Sequence, residues 1–285
     1  MNILDNIEEA HKKLLYTSVR VRTDKAGGSG TVIYSKVCPV TYKDPKYPEL
    51  VTNEGETETY VLTNHHVIEG AISIKNAWNS LANREVPTEF RETVTVEFFK
   101  YKNLSKLYGR TTVEADIVAW DEREDLALLK LRMSEPVKNI AAMYPRGKSK
   151  DIKLFEGTVA VGSSLGHAPL FTTGRITSKH DEIDNKEYWM SDAQIIFGNS
   201  GGSMFLAKTG ELIGVPARVA TVNLGFGVDI ITFMGFFITI ERIYNFIEKQ
   251  GFQFIYDKSM DSALCAKKRL AKIKREAQKL VIPKK

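Results

Sequence analysis

The sequence predicts an all-β protein of barrel or sandwich type, with helices only near its two ends. Three observations carry this reading. Short runs rich in β-branched, aromatic and aliphatic residues recur along most of the chain, separated by turn residues. No strand–helix alternation of the βαβ kind interrupts them. Helical periodicity is confined to residues 3–15, to a segment beginning near Thr232, and to residues 263–280.

Taken in order, residues 3–15 form a short amphipathic helix. In the first half, β-like runs follow at 16–22, 30–34, 59–63, 93–99, 113–120 and 126–131. The segment 134–153 holds Pro136, Pro145, Gly147 and several lysines, which reads as a link between two halves. Further runs lie at 157–161, 171–178, 187–191, 203–206, 212–220 and 227–231. From near Thr232, the residues Phe233, Phe236, Phe237, Ile240, Ile243, Tyr244 and Ile247 recur at spacings of three and four. This predicts a core-facing helix; Asp229 and three glycines argue against reading 224–240 as a membrane span. Three segments, Cys38 to Glu58, Ala77 to Glu92 and Lys100 to Arg110, read as solvent-facing loops.

With 285 residues, 43% hydrophobic and 26% charged, the chain can bury a sizeable core as one large domain or two small ones. Two cysteines cannot build a disulfide framework, and Cys38 and Cys265 lie in separate regions without metal-ligand spacing. The early acids Asp5, Glu8 and Glu9 and the lack of a long apolar core do not suit a signal peptide. A cytoplasmic, reducing compartment is the expectation. The end of the chain differs in composition. Residues 258–285 carry ten Lys or Arg and two acids, a net charge of +8; residues 1–257 carry 30 basic and 33 acidic residues, a net of −3. Residues 263–280 form a predicted basic helix with Leu264, Leu270, Ile273, Ala277 and Leu280 roughly along one side. Such a helix either packs back on the body or binds an anionic partner, nucleic acid or an acidic protein.

The chemistry concentrates in Phe197-Gly198-Asn199-Ser200-Gly201-Gly202-Ser203. Glycines on both sides of a serine let the backbone fold sharply beneath an exposed hydroxyl and aim main-chain N–H groups at a developing oxyanion. A Gly-Ser-Gly run alone usually marks an ordinary loop. A serine nucleophile also requires a base, and the base a carboxylate to fix its tautomer. Candidates stand upstream: His65 and His66 where a β-rich run enters a polar corner, and Asp125 just before the apolar run Leu126 to Lys130, with Asp116 and Asp121 nearby.

These residues resemble the trypsin-like serine peptidases, and within them the bacterial HtrA (Deg) type. The family motifs T-N-x-H-V, D-L-A-L-L-K and G-N-S-G-G are matched by Thr63 to Val67, Asp125 to Lys130 and Gly198 to Gly202, in the His, Asp, Ser order of chymotrypsin-type enzymes. Gly28 to Ile33, Val161 to Ser178, Leu212 to Val215 and Gly225 to Val228 match more weakly, in the same order. The resemblance implies two six-stranded antiparallel barrels, at 16–133 and at 154–250 with a closing helix, preceded by the helix 1–15, joined by 134–153 and followed by the tail 251–285. It implies that His66 is the base rather than His65, Asp125 its partner and Ser200 the nucleophile, with the Gly198 and Ser200 N–H groups as oxyanion donors. By the same resemblance Gln194 sits at the base of the primary pocket, while Ala217, Arg218 and Val219 belong to the substrate-pairing strand. Small or medium apolar residues are then expected at the cleaved position. Departures are Phe197 and Ser203 in place of prolines, and a tail too short for a PDZ domain. The implied function is a serine endopeptidase acting on protein or peptide, with no metal or organic cofactor required. The alternatives are a peptidase-fold scaffold without catalysis, or a dedicated processing protease, as in phage or viral maturation, localised by its basic tail.

Overall fold

In the computed structural model, which describes residues 2–79, 83–223, 225 and 227–281, the β-forming runs close into two six-stranded antiparallel barrels. The first half contains β1 (Ser18–Arg22), β2 (Gly27–Val37), β3 (Tyr42–Lys43), β4 (Val51–Thr52), β5 (Thr57–Thr63), β6 (Ile72–Asn79), β7 (Arg84–Arg91), β8 (Val94–Lys102), β9 (Lys106–Asp121) and β10 (Leu126–Leu131). Its barrel closes in the order β1-β2-β5-β10-β9-β8, leaving β3-β4 and β6-β7 as separate two-stranded sheets. The second half contains β11 (Gly157–Gly162), β12 (Leu170–Ile183), β13 (Lys186–Ser191), β14 (Ser203–Leu206), β15 (Leu212–Asn223) and β16 (Val228–Thr239). They close as β11-β12-β13-β16-β15-β14. Closure gives each barrel strand a hydrogen-bonded neighbour on both sides and leaves neither barrel an edge strand.

Burial explains why the central strands read as continuous apolar runs. In β5, Val61 points into the first barrel among Val19, Val21, Val32 and Leu129, whereas Tyr60 and Leu62 join a second apolar layer with Leu128, Val161 and Phe205. In β10, Ala127, Leu129 and Leu131 take the inner side and Leu126 and Leu128 the other. Both faces of each strand are covered, so no polar alternation survives. The middle layer also takes up Ile243, Phe246 and Ile247 of the helix Ile240–Gln250. Each such side chain contributes about 2 kcal/mol on burial. The second barrel has its own core around Ala160, Ile176, Trp189, Met204, Ile213 and Phe237.

Helices are few. α1 (Ile7–Ala10) lies between a 3₁₀ turn at Ile3–Asp5 and a π turn at His11–Leu15, so the predicted N-terminal helix is three short helical pieces. α2 (His65–Ile68) is a single turn, α3 spans Ile240–Gln250 and ends at Gly251 in the left-handed region, and α4 spans Ser262–Val281. The helix predicted from Thr232 is a correction: residues 232–239 belong to β16, where Phe236 and Phe237 pair with Met190 and Trp189 of β13. The run is dense in aromatic and β-branched residues, and spacings of three and four within it fit either period. Thr239, in extended conformation, is the true helix N-cap.

The three predicted loops are also corrected. The segment 38–58 contains β3, β4 and buried Cys38, Asp44 and Tyr47. Most of 77–92 is the β6-β7 hairpin, and 100–110 is the tip of the β8-β9 hairpin. Residues 80–82, Leu224 and Phe226 lie outside the described residues, as do the side chains of Ala277 and Leu280. Of α4, Ala263, Cys265 and Ala266 are buried against the body, with Arg269 paired to Asp44 at 2.9 Å. From Leu270 to Arg275 every residue is exposed, so the basic helix docks by its first two turns and then projects.

Candidate active site

The polar corner after β5 is built by Asn64, whose extended backbone turns the chain into α2. Its carboxamide Nδ2 donates to the carbonyl of Asp125 at 2.7 Å. The adjacent histidines part company here. His65 is buried and stacks on Trp120 with ring centroids 5.0 Å apart. His66 is partly exposed, and its Nδ1 lies 2.9 Å from Oδ2 and 3.0 Å from Oδ1 of Asp125. Its backbone N–H also donates to Oδ1, at 3.1 Å.

Asp125 occupies the left-handed region at φ +51°, closing the turn between β9 and β10. Asp tolerates that conformation better than most residues. Its carboxylate and carbonyl therefore both grip the segment that carries His66. The other two acids are committed elsewhere: Asp116 to Arg132 at 2.7 Å and Asp121 to Lys249 at 2.7 Å. Beside Asp125, Glu124 accepts from Lys186 of β13 at 2.8 Å and Arg242 of α3 at 2.9 Å, tying this turn to the second half. Burial pushes the Glu124 carboxyl up, but the two cationic hydrogen bonds outweigh it and hold it below its ordinary value.

The serine turn comes from the second barrel. Gly198 and Gly201 both have positive φ, +96° and +80°. A Cβ at Gly201 would also collide with Ser29 O and Thr63 Oγ1, so only glycine fits. Gly201 N–H donates to Pro216 O at 3.1 Å, placing β15 alongside, and Ser200 O accepts from Ser29 N–H at 2.8 Å. Gly28 lies against both Ser200 O and the methyl groups of Val67, the residue after His66. The structure thus brings Ser200 beside the His66 turn. The Ser200 hydroxyl makes no hydrogen bond among the described residues, so it is not joined to His66 here. The N–H groups of Gly198 and Ser200 likewise have no acceptor among them. A cleft of about 260 Å³ opens next to Gly198, walled by Arg20, Gly27, Gly28, Leu165 and Phe197.

The residues expected to contact substrate are spread out. Ala217 is buried in β15, and Val219 packs on the second-barrel core. Arg218 pairs with Asp184 at 2.7 Å and lies over the Tyr188 ring, so its charge is already engaged. Gln194 is exposed and lines a different cleft with Leu15, Tyr101, Leu107 and Phe171. Among the described residues no cluster of three or more His, Cys, Asp or Glu is arranged to hold a metal ion, and no helix is long and apolar enough to cross a membrane.

The sequence matches the family described as trypsin-like peptidase domain over residues 50–215, more than half the chain. The chain belongs to the trypsin-like peptidase family. The chain is 30% identical over 171 residues to a probable periplasmic serine endoprotease, DegP-like, of Hahella chejuensis; the match covers 59% of this chain and 29% of that protein. It is 33% identical over 130 residues to the mitochondrial serine protease HTRA2 of Bos taurus, covering 43% of this chain and 27% of the other. The chain thus spans less than a third of the length of these curated relatives. Among solved structures it is similar to an HtrA-type protease with a tripeptide, with TM-score 0.56 at 18% identity over 89% of this chain and 64% of that one. Deg5 gives a TM-score of 0.53 at 20% identity, over 86% and 94%. At such identities the likeness is one of fold.

Two residues of the site carry no mark in the sequence of these roles: Asn64, which braces Asp125, and Ser29, on which the serine turn rests. The only signal for Ser29 was its place in the weakly matched Gly28-Ser29-Gly30.

Proposed function

We propose that this chain is a serine endopeptidase that works through an acyl-enzyme intermediate. Ser200 Oγ attacks a peptide carbonyl while His66 Nε2 takes its proton; the C–N bond then breaks as His66 returns that proton to the leaving amine. Water repeats the cycle on the ester and releases the acid. Asp125 holds the imidazole with its proton on Nδ1 and stabilises the imidazolium. The unspent N–H groups of Gly198 and Ser200 receive the oxyanion, each worth on the order of 3 kcal/mol. The pairing of His66 Nδ1 with both carboxylate oxygens of Asp125, beside the serine turn, carries this reading. The missing Oγ–Nε2 bond is made when substrate excludes water and the serine side chain turns toward the ring, as resting sites commonly require. Engagement of Arg218 by Asp184 and the apolar Ala217 and Val219 favour a small or medium apolar residue at the cleaved position.

Labelling with a fluorophosphonate probe tests the proposal. Wild type should label, and Ser200→Ala and His66→Ala should not; equal labelling of all three, or none of wild type, returns the chain to the scaffold reading.

The projecting half of α4 supports a second element of function, binding of an anionic partner. Lys267, Lys268, Lys272, Lys274 and Arg275 are exposed and form no ion pair among the described residues. Retention on immobilised duplex DNA or polyglutamate should weaken steeply with salt and be lost on removing residues 258–285. Retention unchanged by truncation would dismiss it.

A further inference from the structure

Ser29 has no direct part in the chemistry above, yet every polar group it owns is spent on the site. It is fully buried. Its N–H donates to Ser200 O at 2.8 Å, and its carbonyl accepts from Thr63 Oγ1, three residues before His66, at 2.7 Å. Its hydroxyl donates to Gly198 O at 2.6 Å and accepts from Ser163 N–H at 2.7 Å. One first-barrel residue therefore touches the base segment, the serine turn and the 163–166 turn of the second barrel.

The carbonyls so held decide where the donor N–H groups point. A trans peptide is planar, so fixing its C=O aims its N–H the opposite way. Leu165 N–H donates to Phe197 O at 2.8 Å, which orients the Gly198 N–H. The Ser29 hydroxyl fixes the next peptide through Gly198 O, and Ser164 Oγ holds the Asn199 carboxamide at 2.7 Å. Gly198 alone is free to rotate between these planes, and with both neighbours pinned that freedom is gone. The 163–166 turn is itself braced: Leu165 sits at φ +51°, and Arg20, ion-paired to buried Glu97, donates to Gly166 O.

We propose that Ser29, with the 163–166 turn behind it, is the positioning residue that keeps the Gly198 N–H turned toward the oxyanion. This inference rests on the peptidase reading above. Removing the hydroxyl leaves Gly198 O and Ser163 N–H unpaired; the 163–166 turn then loosens, and with it the Leu165 N–H that holds Phe197 O and so aims the Gly198 N–H. The loss is specific to the tetrahedral state, since substrate still binds its cleft.

The test compares wild type, Ser29→Ala and Ser35→Ala. Ser35 is a control: its buried hydroxyl bonds Thr59 Oγ1 at 2.6 Å, with no link to the serine turn. For Ser29→Ala, kcat on a peptide substrate should fall about 100-fold, as for loss of an oxyanion donor, with KM within about threefold. Affinity for a peptide aldehyde, whose adduct places an oxyanion in that position, should fall by the same factor. Ser35→Ala should lower Tm and leave kcat unchanged. If Ser29→Ala does not fold, Ser164→Ala carries the test, with a smaller kcat loss at constant KM. A kcat near wild type in the variant so used, or a loss expressed only in KM, overturns the inference while leaving the peptidase reading intact. An inactive wild type overturns both.

Discussion

Replacing Asp125 by Asn probes the centre of the site with almost no change of shape. Asn adopts the left-handed backbone at φ +51° as readily as Asp, so the turn between β9 and β10 should survive. The carboxylate accepts twice from His66, at the backbone N–H and at Nδ1. A carboxamide has one acceptor atom, and it goes to the backbone N–H, because the reverse orientation sets an amide NH₂ against that N–H at 3.1 Å. The NH₂ then faces Nδ1 at 2.9 Å, where only an unprotonated nitrogen is tolerated. The imidazole proton moves to Nε2, and the ring can no longer take the Ser200 proton. The expected loss is about 10⁴ in kcat, or about 5 kcal/mol of transition-state stabilisation, with Tm close to wild type. Hydrolysis of fluorescently labelled casein, single-turnover acylation and a thermal melt measure these separately. A folded Asp125→Asn enzyme within tenfold of wild-type kcat would refute the assignment of the base.

Other perturbations have equally defined outcomes. Glu124, held below its ordinary value of 4.5 by Lys186 and Arg242, adds stability above that value that is lost as pH falls through its lowered one. Urea midpoints of Glu124→Gln should therefore be lower than wild type near neutrality and converge with it in acid; parallel curves would exclude the linkage. Arg269→Ala leaves Asp44 buried without its cation and should cost about 3 kcal/mol in chemical denaturation, with much of the loss recovered in the double variant with Asp44→Asn. Gly201→Ala meets both a positive φ and a steric collision, and should cost more than about 3 kcal/mol and abolish probe labelling. A soluble, labelling Gly201→Ala would contradict the close approach of the two barrels at this point.

What the sequence revealed and what it hid follow from the range of the interactions involved. Strands covered on both faces, such as Leu126–Leu131, announced themselves because burial is written into composition. The alternating signal failed at 232–239, where a run dense in Phe, Ile and Thr satisfies both periods and only pairing with Trp189 and Met190 decides for a strand. The hairpin at 84–91 escaped because its strands stand outside the barrels and are largely polar, so no hydrophobic pattern marks them. At the site, the resemblance to the family motif pointed to His66 over His65, and the geometry supplies the physical difference: one ring stacks on Trp120 and the other meets Asp125. Asn64 acts through one hydrogen bond to Asp125, and Ser29 through bonds to Thr63, Ser163, Gly198 and Ser200, all distant in the chain, and nothing local signals such bonds.

The firm seating of α4 has a geometric outcome of its own. Helix advances 1.5 Å per residue, so the stretch 270–281 forms a boom of roughly 18 Å. Because its root is pinned by Arg269 on Asp44 and by Ser262 on Glu58, the boom cannot swivel as a loose tether would. Under the proposed function, a partner held near its tip would stay at one bearing and reach from the barrels, which would limit which of its bonds could be offered for cutting.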